Sequence, residues 1–382
     1  MHRIKIIHLY MMSFLMLSSC IKAFDPEIKG LDAKKYVVMG RITDNDSLQK
    51  VNVSLTSPVG KPAYVPVTGC IIKLMDDKGN EFPMMDMNDG NYTAVVDPAF
   101  VVPGVSFCLE LVNPEGDSIV STFDQISACP EIDSVYFLRK DLEGNIPGEF
   151  TLGIQFYLDL DASLSDSRYY LWEAYETFEN HAEYPLEWYY DGSVHHVVPP
   201  DYSMMVCWQT LRKSNIFTLS TDKLTENKYH MYPLHYVNNK TSRLKYGYSL
   251  LIKQFAISEE AYIFWNQMRI NSSQKGGLYE KQPLAVKGNL FNLNHPEKEV
   301  LGFFSASSLR QKRIFVHDVP DLPLEVDNYC SSFILRHPFW DITPRDYPAY
   351  LLGDEFTWYP IWLSDNCVDC SKLGGINVKP DF

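Results

Sequence analysis

Apolar and polar residues alternate with a period of two along much of this chain. Tyr36, Val38, Gly40 and Ile42 interleave with Val37, Met39 and Arg41, the spacing of a strand whose successive side chains point to opposite faces. Further strands are predicted over 51–56, 70–75, 91–96 and 106–112. They are separated by the turn clusters Asp77-Lys78-Gly79-Asn80 and Asn88-Asp89-Gly90-Asn91. Short strands at this interval predict a β-sandwich over residues 35–128.

A second β-rich region is predicted from 129 to 382. Leu152, Ile154, Phe156, Leu158 and Leu160 alternate with Gly153, Gln155, Tyr157 and Asp159, and strands are expected again over 168–177, 244–255, 300–305 and 313–319. The pattern changes to a helical period once, over about 258–270. Ser258 can cap that helix, Glu259 and Glu260 suit its positive end, and Ala261, Phe264, Trp265 and Met268 recur at i, i+3, i+4 and i+7. Gly276-Gly277 closes that segment. Residues 178–202, rich in Tyr, His and Pro, are expected as a long functional loop, and the last 50 or so residues show little periodicity. The fold class is therefore mainly β: an immunoglobulin-like or transthyretin-like sandwich, then a larger β-rich domain with one clear helix and an aromatic, proline-rich tail.

The N-terminus departs from this pattern. His2, Arg3 and Lys5 precede an apolar run over 6–17, then Ser18-Ser19 and Cys20. This is the order of a secretory signal peptide, expected to be removed as residues 1–19. The run is too short for a membrane span, which needs about 20 apolar residues. The ending Leu17-Ser18-Ser19-Cys20 resembles a lipobox, which implies lipidation of Cys20 and a short tether over 20–34. Several acyl chains give an essentially permanent bilayer anchor, whereas one chain binds only marginally.

Composition narrows the partners. The net charge is −14 over 382 residues, and loss of Arg3 and Lys5 with the leader makes the mature chain more acidic still. Such a surface repels nucleic acid. Aromatic content of 14%, with 24 tyrosines, argues for packed β structure and against disorder. Seven cysteines follow Cys20, at 70, 108, 129, 207, 330, 367 and 370, and an exported chain meets conditions that allow disulfides. An odd number cannot all pair within one molecule.

Standard catalytic signatures do not occur: there is no Gly-x-Ser-x-Gly elbow, His-Glu-x-x-His helix, phosphate loop or Gly-x-Gly-x-x-Gly. Neither a metal nor a cofactor is implied by the remaining patterns. Cys367-Val368-Asp369-Cys370 has redox spacing without a βαβ context. Its expected role is a structural disulfide, either local between Cys367 and Cys370 or to another cysteine such as Cys330, pinning the tail. His195-His196 with Asp191 nearby, and Asp159, Asp161 and Asp166, are read as solvated groups rather than ligand sets. The aromatic residues Trp188, Tyr189, Tyr190, Tyr202, Trp358, Tyr359 and Trp362 are the candidate recognition surface, since Tyr and Trp give large contact area at low entropy cost. The competing expectation for each is burial in an aromatic-rich core.

The strand order of 35–128, with its Asp-Lys-Gly and Asp-Gly-Asn-Tyr turns and Pro103-Gly104, resembles the carboxypeptidase-regulatory and transthyretin-like modules of exported proteins. Along the chain, landmarks run from Cys20 with Phe24-Asp25-Pro26 through Tyr170-Leu171-Trp172-Glu173 with Glu176 and Tyr248-Ser249-Leu250-Leu251. They continue through Glu260-Ala261-Tyr262, Gly288-Asn289-Leu290, Leu301-Gly302-Phe303-Phe304 and Cys367-Val368-Asp369-Cys370 to Lys379-Pro380-Asp381-Phe382. The mature chain is similar throughout to a family of Bacteroidota outer-membrane lipoproteins defined only as a domain of unknown function, commonly encoded beside TonB-dependent receptors. The resemblance implies an outer-membrane lipid anchor, on the periplasmic face or the cell surface, and a TonB-dependent receptor as partner; it implies no active site. The expected function is a non-catalytic accessory or binding partner of an uptake receptor. The alternatives are a glycan or peptide hydrolase using carboxylates of the second domain, and a structural envelope or adhesin protein.

Overall fold

The computed structural model describes residues 34–58, 61–144, 146–273, 286–327, 330–334, 347–353 and 361–381. The chain is mainly β, as its alternation predicts. Strands β1 (Tyr36–Thr43), β2 (Leu48–Leu55) and β4 (Asn91–Val95) form one antiparallel layer. Strands β3 (Ile71–Asp76), β5 (Ser106–Val112) and β6 (Ser118–Ser121) form the facing layer. Their inward positions, including Val38, Val53, Leu74, Tyr92, Phe107 and Leu109, are fully buried. Each such side chain contributes about 1.5–3 kcal/mol of apolar burial. The Asp77-Lys78-Gly79-Asn80 turn after β3 is fixed by Asp76, whose Oδ1 accepts from the Lys78 and Asn80 N–H groups at 3.0 and 2.8 Å.

Beyond residue 128 the main strands are β7 (Gly153–Asp161), β8 (Tyr169–His181), β9 (Leu186–Tyr190), β10 (Val194–Asp201), β11 (Val206–Arg212), β12 (Phe217–Ser220), β13 (Lys228–Asn238) and β14 (Tyr248–Ala256). Helix α1 spans Glu259–Ser273, and β15 spans Leu301–Val316. The Ser258 Oγ accepts from the Ala261 N–H at 3.2 Å, which caps α1 as its sequence predicts. Ala261 and Phe264 pack on Leu171, Phe255 and Phe303, while Met268, expected on the same face, is exposed.

One strand joins the two regions. The sequence suggests separate segments over 300–305 and 313–319, but β15 is continuous for 16 residues. Its first half pairs in parallel with β1, from Val37 opposite Leu301 to Thr43 opposite Ser307. Its second half pairs antiparallel with β14, from Ala256 opposite Ser308 to Tyr248 opposite Val316. The result is one ten-stranded sheet running from the sandwich into the second region in the order β11-β8-β14-β15-β1-β2-β4 and onward. Leu290, Val300, Phe304 and Ala306 are core residues of the sandwich, and Leu290–Asn292 adds a strand beside β6. The expected division at 128/129 is thus bridged by β15, and the sandwich takes part of its core from beyond residue 288.

The seam between β1 and β15 is tight. Gly302 has φ +103°, and a Cβ there would lie 2.0 Å from the Val38 carbonyl oxygen. Gly302→Ala should destabilise the fold by about 2–3 kcal/mol, read as a fall in the urea midpoint; an unchanged midpoint would refute close approach at this seam.

The expected loop over 178–202 is not a loop. Strand β8 extends to His181, and β9 and β10 form a hairpin whose register runs Trp188–His196, Tyr189–His195 and Tyr190–Val194. Polar residues and the Pro199-Pro200 pair hide the alternation here. The hairpin edge is completed by Ala349–Leu352 and Ile361–Leu363 from the tail that lacked periodicity.

Candidate functional site

The central strand of the site is β8, whose alternation sends Trp172, Ala174, Glu176 and Phe178 into the space between the large sheet and β7/β13. Three of these positions suit a core, but Glu176 is a carboxylate with no exposure. An isolated charge there would be very unfavourable, and it is fully partnered instead. Lys213 Nζ and Arg243 Nε donate to Oε1 at 3.2 and 3.1 Å, while His235 Nε2 lies 3.2 Å from Oε2 and the Tyr248 hydroxyl donates to Oε2 at 3.3 Å. Burial pushes the Glu176 carboxyl up. The His235 hydrogen bond and the Arg243 and Lys213 charges more than offset it and bring it down to about 2. Tyr248 is held far above the usual phenol range by burial and by the same carboxylate.

Arg243 carries this buried charge outward. Its guanidinium lies over the Phe178 ring at 4.8 Å and lines a cleft of about 620 Å³. The floor of the cleft is polar: buried Asn180 accepts from the Ser242 hydroxyl at 2.9 Å, and the Gln209 and Asn366 amides add donors and acceptors. Thr241 contributes a buried Oγ1 with no hydrogen-bond partner among the described residues. On one side Tyr246 and His181 stack at 3.7 Å, with His181 Nε2 2.5 Å from Glu179 Oε1. Lys245, Glu183 and Asp327 stand at the rim.

The far wall is the C-terminal segment, held by two disulfides. Cys330 pairs with Cys367 and Cys207 pairs with Cys370. The local Cys367–Cys370 bridge is not formed; each cysteine reaches a different distant partner, and Cys207 lies on β11 beside β8. Cys70, Cys108 and Cys129 are buried thiols. Burial brings Cys108 and Cys129 up to about 11, so they are protonated at neutral pH.

The aromatic candidates divide. Tyr190 and Trp362 are 7% exposed and form a small core with Ala349 and Leu351, so they are not recognition surface. Trp188 and Tyr189 are half-buried, stacked on His196 and His195 at 3.7 and 4.6 Å. Tyr202 is 63% exposed. Trp358, Tyr359 and Cys20 lie outside the described residues. Asp191 accepts from or pairs with His195 at 2.8 Å, and the hydrogen bond to His195 holds its carboxyl low. Among the described residues, no three His, Cys, Asp or Glu side chains gather closely enough to hold a metal ion.

A family model described as a domain of unknown function, DUF4249, matches residues 21–313. The chain belongs to this family. The match begins one residue after Cys20 and includes β8, Glu176, Arg243 and β15 as far as Arg313, but not the segment carrying Cys330, Cys367 and Cys370. No curated protein matches the sequence. Trypsin-activated alpha-2-macroglobulin from Escherichia coli is similar at 8% identity with a TM-score of 0.20, over 60% of this DUF4249 chain and 15% of that one. At that score the likeness carries no argument.

The sequence named Glu176 only as a landmark, since a single acidic residue within an aromatic strand resembles an outward position. Arg243, His235 and Lys213 carried no signal, because their common partner is defined only when β8, β11, β13 and the turn after it come together.

Proposed function

We propose that this protein is an outer-membrane lipoprotein, anchored by acyl chains on Cys20, that acts without catalysis as the binding partner of a TonB-dependent uptake receptor. The observation that carries this reading is the cleft lined by Arg243, whose guanidinium is held by the buried Glu176. Glu176 lies behind the lining, ionised and bonded to four donors, so it fixes Arg243 as a recognition group beside the polar floor rather than transferring a proton, since a general acid needs a pKa near the working pH. Amide, hydroxyl and aromatic groups around that floor suit a polar ligand, or a polar loop of a receptor. The lipobox and the family resemblance support the location and the partner.

Affinity purification of the anchored protein from its native membrane in mild detergent, followed by mass spectrometry, should return a TonB-dependent receptor as the dominant companion. Recovery of the lipoprotein alone would overturn the partnership. Cys20→Ala should shift the protein from the membrane to the soluble fraction almost completely, because membrane attachment then rests on no acyl chain; continued membrane retention in alkaline carbonate would refute the anchor.

A hydrolase reading draws on one observation, a cavity of about 790 Å³ lined by Glu131, Asp133, Asp161 and Asp166. Asp161 is held down to about 2, first by Ser163 and then by Lys228, so it would serve as base or nucleophile and would need a second carboxyl as acid. Release of reducing sugar or amine from envelope glycan or peptide by the wild type, abolished in Asp161→Asn, is the result that would favour it over the binding role.

A further inference from the structure

Strand β8 is covered along one edge by two short strands rather than one. β12 pairs with Tyr169 to Trp172 and β11 pairs with Tyr175 to His181. Between them the chain bows away over 213–216, with the Lys213 N–H returning to the Ala174 carbonyl at 2.8 Å. The interruption opens a cavity of about 400 Å³ on the flank of the sheet, distinct from the cleft lined by Arg243. Its inner walls are apolar: Trp172 and Leu171 are essentially fully buried, and Ile216 and the Trp265 ring line the cavity with them.

Its polar groups are mostly donors. Arg212 ends β11 and Lys213 begins the bowed segment, and the Arg212 side chain is 57% exposed. Arg212 gives one N–H to Glu173 at 3.0 Å, and Arg41 binds the same carboxylate oxygen at 2.9 Å. Lys213 shares Glu176 with Arg243. Among the groups lining the cavity, two permanent cations, Arg212 and Lys213, stand beside one carboxylate, Glu173, in a chain whose net charge is −14. Burial pushes the Glu173 carboxyl up, but Arg41 and Arg212 outweigh it and hold the group ionised, so it spends its charge on them rather than repelling a ligand. The Trp265 indole N–H and the Arg41 Nε are shielded from solvent and have no acceptor among the described residues. Buried donors without acceptors are unfavourable, and both lie in one neighbourhood, with the Arg41 guanidinium 5.7 Å from the Trp265 ring.

We infer that this cavity binds a small organic carboxylate with an apolar body. The carboxylate meets the free edge of Arg212, whose planar fork matches its geometry, together with Lys213. The apolar body lies against Trp172, Leu171, Ile216 and Trp265. An inorganic anion would leave those walls unfilled, and a neutral isostere would leave the cationic excess uncompensated.

The test is isothermal titration of the full mature protein in detergent with phenylbutyrate, its neutral amide, and inorganic sulfate. Phenylbutyrate should bind saturably at one site, and the amide and sulfate at least about tenfold more weakly. Arg212→Gln should weaken phenylbutyrate by about tenfold, the worth of one charge-assisted hydrogen bond. Trp265→Phe, which keeps an aromatic face but removes the N–H and part of the ring area, should weaken it by a smaller factor, with both variants retaining the wild-type unfolding midpoint within a few degrees. Equal binding of the amide or of sulfate, or unchanged affinity in Arg212→Gln, would overturn the assignment, as would no binding at all. Receptor co-purification is a separate readout, so its failure leaves this result untouched.

Discussion

Glu176→Gln should lower the unfolding free energy by about 3–5 kcal/mol near neutral pH, the range for breaking a buried ion pair from one side. The substitution keeps the shape of the side chain, removes its charge and replaces one acceptor oxygen with an NH₂ donor. Lys213 and Arg243 then remain in the same place, partly buried, without a counter-charge, and the amide NH₂ faces two cationic donors. The pH dependence identifies the cause. The Glu176 carboxyl is lowered in the folded state from 4.5 to about 2, so its contribution is fully present above pH 4.5 and is lost as the pH falls through about 2. Urea unfolding of wild type and variant should therefore differ most near neutrality and converge as the pH drops below 4.5. A difference under about 1 kcal/mol, or one that stays constant down to pH ~2, would show that the network contributes no net electrostatic stability.

Removing the Cys207–Cys370 disulfide with paired serines should destabilise the protein by about 2–5 kcal/mol, towards the upper end because the bridge closes a long loop. The linked cysteines are 163 residues apart, against 37 for Cys330–Cys367, so the entropy withheld from the unfolded chain is larger for the first. The local effect should be concentrated in 361–381. Cys370 is fully buried against Ala182 and Cys207, and the Trp208 and Ile376 backbones exchange hydrogen bonds at 2.9 Å in both directions. Hydrogen exchange by mass spectrometry should show this segment opening first in the serine variant, while β1, β2 and β15 keep their protection. The Asn366 and Leu373 wall of the cleft would move with it, so receptor or ligand capture should fall together with tail protection. Unchanged unfolding midpoint and unchanged exchange in 361–381 would refute the role of the bridge.

These two effects reside where the sequence was least informative. The sandwich strands, β7, β8, β14 and the cap of α1 follow from local alternation and local hydrogen bonds, and their predicted positions differ from the observed ones by a few residues. Strand β9 of the hairpin was hidden because both its faces are occupied: Trp188 and Tyr190 face a small core, while Tyr189 packs with Tyr350, Leu363 and Val368 on the other side. A strand covered on both faces loses the apolar–polar alternation that reveals it. The cysteines were legible as structural, but their partners were not, since Cys207 and Cys330 give no local sign of which strand the tail will reach.

What the sequence determined by itself was the β character of the chain, the sandwich pattern and the capped helix, because each depends on neighbours within a turn or a strand. Tertiary structure alone decided that β15 fuses both regions into one sheet, that Glu176 collects Lys213, His235, Arg243 and Tyr248, and that Cys370 reaches Cys207. Each of these joins residues tens to hundreds of positions apart. A buried charge and a parallel strand pair are satisfied only by distant partners, and no local period in a sequence records which partners those will be.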